Sequence, residues 1–197
     1  MLMSACAKRA MSRAADSSAP PVDAETPLPE GQGLFLDISE EDGPWADLPG
    51  LDRAIRRVGE ALAGHPAGAG VRCREATIVL GSDSLLFRLN ASYRGKAAAT
   101  NVLSFPFRPR AARADQEANR YLGDVVLAAQ TIAREAAERR IEPIAHVQHL
   151  VLHGLLHLIG YDHASEAEAV EMERLETEIL TRLGLQDPYA VGPSSQE

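Results

Sequence analysis

From residue 33 onward the apolar positions switch between a period of two and a period near 3.6, and the switches divide the chain into nine elements. Gly33-Leu34-Phe35-Leu36-Asp37-Ile38 reads as a strand, after which Leu51, Ile55, Val58 and Leu62 recur at helical spacing until Gly64. Ala76-Thr77-Ile78-Val79-Leu80 is a β-branched run ended by Gly81. Ser82 then offers a helix-capping hydroxyl, Leu85, Leu86 and Leu89 share one face, and the helix closes near Gly95. Asn101 to Phe105 and Gly123 to Leu127 are two more strands, joined by an Arg- and Ala-rich connection over Arg108 to Arg120 and able to pair as a wide hairpin. From Ala128 the signal is helical, over roughly 128–140, 143–160 and 165–183, with Pro143 in a first turn and Gly184 after the last.

The resulting order is β-α-β-α-β-β-α-α-α. Strands placed early and helices gathered late predict an α+β domain with a single mixed four-stranded sheet and helices packed against it. Residues 1–32 are rich in Ala, Ser and Pro and carry neither period, so they read as a disordered tail; 33–187 form the expected domain, and 188–197 a flexible C-terminal tail. A chain of 197 residues suits one such domain. The most apolar stretch, Ile144 to Tyr161, is interrupted by His146, Gln148, His149, His153 and His157, so no membrane helix is expected. Met1 to Ala15 holds Lys8, Arg9 and Arg13 without acids, but lacks the apolar core of a secretion signal. Cys6 and Cys73 form neither a CxxC pair nor a disulfide framework, which fits a reducing, cytoplasmic setting.

Charge changes the picture in one respect. The net charge is −8, yet residues 1–50 carry −6, residues 51–120 carry +6 and residues 121–197 carry −8. The middle third is a basic island, able to draw phosphate groups or to pair with the acidic C-terminal third.

Candidate chemistry concentrates in His153-Gly154-Leu155-Leu156-His157-Leu158-Ile159-Gly160-Tyr161-Asp162-His163. Residues four apart on a helix point the same way, so His153 and His157 present two imidazoles at a spacing that can share a metal. Gly160 can take the left-handed conformation that ends a helix, returning His163 as a third ligand. Three neutral imidazoles with a fourth position open make a catalytic zinc geometry, expected here as one Zn2+ per chain on a C-terminal helix. A single buried histidine satisfied by a carbonyl would be unremarkable; four of the chain's six histidines within fifteen residues are not. His146 and His149 read as structural, His149 being one turn from His153 and so placed to act as an outer partner. Asp162 either orients an imidazole or serves the turn.

The spacing HxxxHxxGxxH is also that of metzincin peptidases, in which a glutamate general base follows the first histidine. Gly154 stands at that position, which weighs against a metallopeptidase.

At these residues the chain resembles the YbeY family of bacterial-type metal-dependent endoribonucleases, concerned with ribosomal RNA maturation and ribosome quality control. The resemblance rests on HGLLHLIGYDH at 153–163, on Leu89-Asn90, on Tyr93-Arg94-Gly95-Lys96, on Thr100 to Phe107, and on Gly123-Asp124-Val125. It implies that His153, His157 and His163 hold zinc and that Arg94 is a catalytic, substrate-binding residue near it. A guanidinium is permanently charged and grips phosphate with two hydrogen bonds, and Lys96 would add a point charge. The family commonly reads Lys, Asp, any residue, Pro, Thr after the arginine and glycine, whereas this chain has Lys96-Ala97-Ala98-Ala99-Thr100, a less rigid loop.

The implied function is endonucleolytic cleavage of single-stranded RNA, with the 3′ end of 16S-type ribosomal RNA as target and the ribosome or its small subunit as partner. The nucleophile is either a zinc-bound water or a ribose 2′-hydroxyl. A non-catalytic, zinc-containing ribosome assembly factor is the non-enzymatic alternative, and a closed fourth ligand would mark it. With four Phe, four Tyr and one Trp, no aromatic-rich stacking platform is evident, so little sequence preference is expected.

Overall fold

The computed structural model describes residues 33–71, 74–95, 98, 100–108 and 120–190. The segment 1–32, Lys96, and most of the connection between Arg108 and Arg120 lie outside the described residues.

Among the described residues, four strands and five α-helices follow the expected order. β1 (Phe35–Glu40) leads through a short 3₁₀ turn to α1 (Leu51–Ala63), and a second 3₁₀ turn leads to β2 (Glu75–Gly81) and α2 (Asp83–Arg94). β3 (Val102–Pro106) and β4 (Tyr121–Ala128) come next, then α3 (Ala129–Arg139), α4 (Pro143–Leu158) and α5 (Glu166–Arg182). The strands form one sheet in the order β1-β2-β4-β3. β1 and β4 both run parallel to β2, while β3 is the antiparallel edge beside β4, so the sheet is mixed and the predicted hairpin pair is present.

Strand ends differ from the sequence reading by a residue or two. β1 is displaced to Phe35–Glu40 because its pairing with β2 runs on to Glu40 opposite Leu80. β4 starts two residues early, at Tyr121, where a register shift against β2 absorbs an extra residue and Gly123 takes φ 136°.

One face of the sheet carries the main core. Ile78, Val125 and Leu127 meet Ile55, Val58 and Leu62 of α1, Val151, Leu152 and Leu155 of α4, and Met172 and Ile179 of α5. Each such side chain contributes about 1.5–3 kcal/mol by leaving water. On the opposite face Val79, Leu103 and Val126 pack beneath Leu85 and Leu86 of α2. That helix begins and ends as its sequence dictates: Ser82 Oγ accepts from the Leu85 amide, and Gly95 closes it at φ 65°. Asn90, buried on the same helix, donates from Nδ2 to the Ala98 carbonyl at 2.8 Å and holds the following loop.

α4 lies across β3 and β4 because Gly154 lets it. A Cβ at this position would stand 2.5 and 2.9 Å from the Val125 methyls and 3.2 Å from Ser104 Oγ. Ser104 takes the remaining space, its hydroxyl donating to the Gly154 carbonyl at 3.3 Å.

Candidate metal centre

The site is assembled at the C-terminal end of α4. Pro143 occupies the first turn, where a missing N–H costs nothing, and the helix runs unbroken to Leu158. It ends in a Schellman turn. The Gly160 amide donates to the His157 carbonyl, the Tyr161 amide to the Leu156 carbonyl, and Gly160 supplies φ 102°. This reversal brings His163 back beside His153 and His157, as the glycine's position predicts.

Each of the three histidines offers one ligand atom, and these atoms all lie within 4.8 Å of one another. His153 Nε2 and His157 Nε2 are 3.1 Å apart, against about 3.3 Å for two nitrogens on a tetrahedral zinc. His153 and His157 keep 24% and 20% of their side-chain surface in solvent, and His163 is exposed, so the cluster opens outward. The three residues could therefore hold a divalent ion that prefers nitrogen ligands.

The ring nitrogens turned away from the cluster are all engaged where they are buried. His157 Nδ1 donates to the Tyr161 carbonyl at 2.9 Å. His153 Nδ1 is 2.8 Å from Glu176 Oε1, and His149 Nε2 is 2.8 Å from Glu176 Oε2. The Tyr189 hydroxyl also donates to Glu176. Burial alone would raise the Glu176 carboxyl, but the hydrogen bonds from His149, His153 and Tyr189 outweigh it and bring it down to about 2. An ionised carboxylate only accepts, so His153 carries a proton on Nδ1, and Nε2 is the nitrogen it turns to the cluster.

His157 is held below its ordinary value, first by burial and then by the neighbouring His153 and His163, with Tyr161 and Asp162 opposing. A neutral imidazole is the form that binds metal. Asp162 Oδ1 accepts from the His163 amide at 2.8 Å and stands 3.9 Å from His157 Nδ1, so it serves chiefly the turn. His146 is occupied elsewhere, 2.7 Å from Glu135 Oε2, which also accepts from Asn101 Nδ2. Arg94 is the last residue of α2; its side chain lies outside the described residues.

The family model for Endoribonuclease YbeY matches residues 51–184. The chain belongs to the YbeY family. Its relatives include the Endoribonuclease YbeY of Bradyrhizobium sp. (strain BTAi1), 47% identical over 74% of this chain and 86% of that one. That of Parvibaculum lavamentivorans is 41% identical over 83% of this chain and 89% of the relative, and that of Rhizobium meliloti 42% identical over 81% and 97%.

Within this YbeY-family chain, sequence reasoning named the three clustered histidines but missed Glu176. A signal was present. Met172, Leu175 and Ile179 form the buried stripe of α5, and Glu176 continues it at helical spacing although it is charged. A buried acid on an apolar stripe asks for partners, and the histidines are they. Tyr189 offered no comparable signal. No helix among the described residues is long and apolar enough to cross a membrane.

Proposed function

We propose that this YbeY-family endoribonuclease is zinc-dependent, with one Zn2+ per chain held by His153, His157 and His163. Its substrate is single-stranded ribosomal RNA, cut in the cytoplasm during maturation at a 16S-type 3′ end and in ribosome quality control, with the ribosome or its small subunit as partner. The observation that carries the reading is the convergence of the three imidazoles, with His153 backed by an ionised, fully buried Glu176. Zinc in such a site supplies Lewis acidity, favouring ionisation of an attacking hydroxyl and taking up charge on phosphoryl oxygens.

The protein's own groups do the positioning. Glu176 fixes the tautomer and tilt of His153, and the Tyr161 carbonyl does the same for His157. Arg94, next to the loop that Asn90 ties down, is assigned the scissile phosphate: its planar fork matches two phosphoryl oxygens and stabilises the charge that grows on them during cleavage. Lys96 adds a second positive charge to the same loop.

The peptidase alternative loses its footing at Gly154. That position faces Val125 and Ser104 in the sheet, so a glutamate there would collide with the core instead of reaching the histidines. The assembly-factor alternative needs a fourth protein ligand. His149 is the nearest candidate on the helix, and its Nε2 is committed to Glu176.

The test is cleavage of labelled single-stranded RNA and of casein by the native chain and by His157→Ala, with bound metal measured in both. RNA is cut and casein is not, and His157→Ala loses metal and nuclease activity together. A His157→Ala protein that kept its metal and full activity would overturn the ligand assignment.

A further inference from the structure

Two pairs of aromatic rings lie at the edge of the sheet, on the face turned away from α4. Tyr93, the penultimate residue of α2, packs edge-to-face with Phe105 of β3, ring centroids 5.3 Å apart and planes at 67°. Phe107, two residues on, makes the same kind of contact with Tyr121 of β4, at 5.6 Å. The Phe107 amide donates to the Leu122 carbonyl at 2.8 Å, so pairing continues past Pro106 and Phe105 and Phe107 fall on one face.

The inner pair is locked in place. The Tyr121 hydroxyl donates to Asp124 Oδ1 at 2.6 Å and lies 2.9 Å from Thr77 Oγ1, a reach made possible by the bulge at Gly123. The outer pair is open: Tyr93 is 53% exposed although it already packs on another ring. With four Phe, four Tyr and one Trp the sequence predicts no stacking platform; the fold nevertheless gathers four of the eight Phe and Tyr residues along one edge.

Tyr93 is followed by Arg94, Phe107 by Arg108, and Tyr121 is preceded by Arg120, the three arginines all within the basic third of the chain. A sheet edge that carries both rings and arginines suits flat bases on a phosphate backbone better than an apolar protein side chain. The strand between them also connects to the histidines. Ser104, beside Phe105, points through to the other face and donates to the carbonyl of Gly154, the residue after His153. β3 thus carries the rings on one face and touches the histidine helix with the other.

We infer that Tyr93 is the contact surface of a base-stacking subsite for unpaired RNA, with Phe105 as its buttress and the Phe107–Tyr121 pair extending it inward. The inference rests on the ribonuclease reading above and names how that site holds its substrate. Stacking is tolerant of base identity, so the subsite selects for single strands rather than for a sequence.

The test uses the full-length, zinc-loaded protein and two labelled probes of equal length and charge, a 2′-O-methylated single-stranded RNA and an abasic strand, each checked on a gel to stay intact during the binding measurement. Tyr93→Ala weakens binding of the RNA about tenfold or more and leaves the abasic strand unchanged. Tyr93→Leu, which keeps apolar contact with Phe105, behaves like Tyr93→Ala, and Tyr93→Trp binds like the native chain. Either aliphatic variant binding RNA with native affinity, or weakening both probes equally, overturns the subsite. A native chain that neither binds nor cleaves RNA overturns the ribonuclease reading beneath it, and the subsite with it.

Discussion

Glu176 Oε1 lies 2.8 Å from His153 Nδ1, on a residue with none of its surface in solvent. Its two oxygens serve two different imidazoles, His153 and His149, and both contacts need an acceptor. Glu176→Gln leaves one acceptor and puts an amide N–H against the other ring. Zinc affinity is expected to fall about 10–100-fold, as for other partners that orient metal-bound histidines, with the fold retained. Competition with a chromophoric chelator reads the affinity directly, and circular dichroism checks the fold.

Gly154→Ala is expected to destabilise the protein. Alanine gains up to about 1 kcal/mol over glycine in a helix interior, but the added methyl would meet the Val125 side chain at 2.5 Å. Overpacking of this kind costs about 1–3 kcal/mol and should prevail. A thermal melt gives a lower Tm; an unchanged or raised Tm would mean that α4 moves off the sheet at little cost.

Arg94→Glu is expected to reduce RNA cleavage by about 10²–10³-fold through loss of charge stabilisation on the phosphate. Arg94→Lys should retain part of the rate, since a single ammonium keeps the charge but loses the fork. Bound metal, measured by elemental analysis, should be the same in both variants as in the native chain. Native cleavage by Arg94→Glu would remove the phosphate role and leave the histidine site standing.

A distinct pH dependence follows from His146. Burial is the main force lowering its pKa below 6.5; the contact to Glu135 opposes that shift, while nearby His149 and Arg139 add to it. The unfolded chain takes up this proton near pH 6.5 and the folded chain resists it, so stability is lost as pH falls through and below that value. Glu135, lowered from 4.5 against its own burial by Asn101 and His146, adds a loss in the same direction below pH 4.5. Denaturant midpoints of the native chain should decline between pH 6.5 and 5 more steeply than those of His146→Phe. Parallel curves would show that His146 titrates alike in both states.

Much of this was legible in the sequence, and for reasons that can be named. The strands and helices follow hydrophobic period, and Ser82, Gly95 and Gly160 act where their conformational preferences place them. The three histidines are readable because both helix spacing and the glycine reversal are local. What escaped was long-range. Glu176 meets His153 across 23 residues of sequence, and Tyr93 meets Phe105 across a loop, so neither pairing leaves a periodic trace. Gly154 was read as the loss of a protease base; the structure gives it a positive role, as the contact that seats the histidine helix on β3 and β4.

The central claim is that cleavage of RNA depends on one metal ion held by the histidine cluster. Protein stripped with a chelator and freed of contaminating ribonuclease should cut labelled single-stranded RNA no faster than His157→Ala. Zinc added in steps should restore the native rate and saturate at one ion per chain. Full cleavage by the stripped protein, or a restored rate in His157→Ala with the same stoichiometry, would contradict the account.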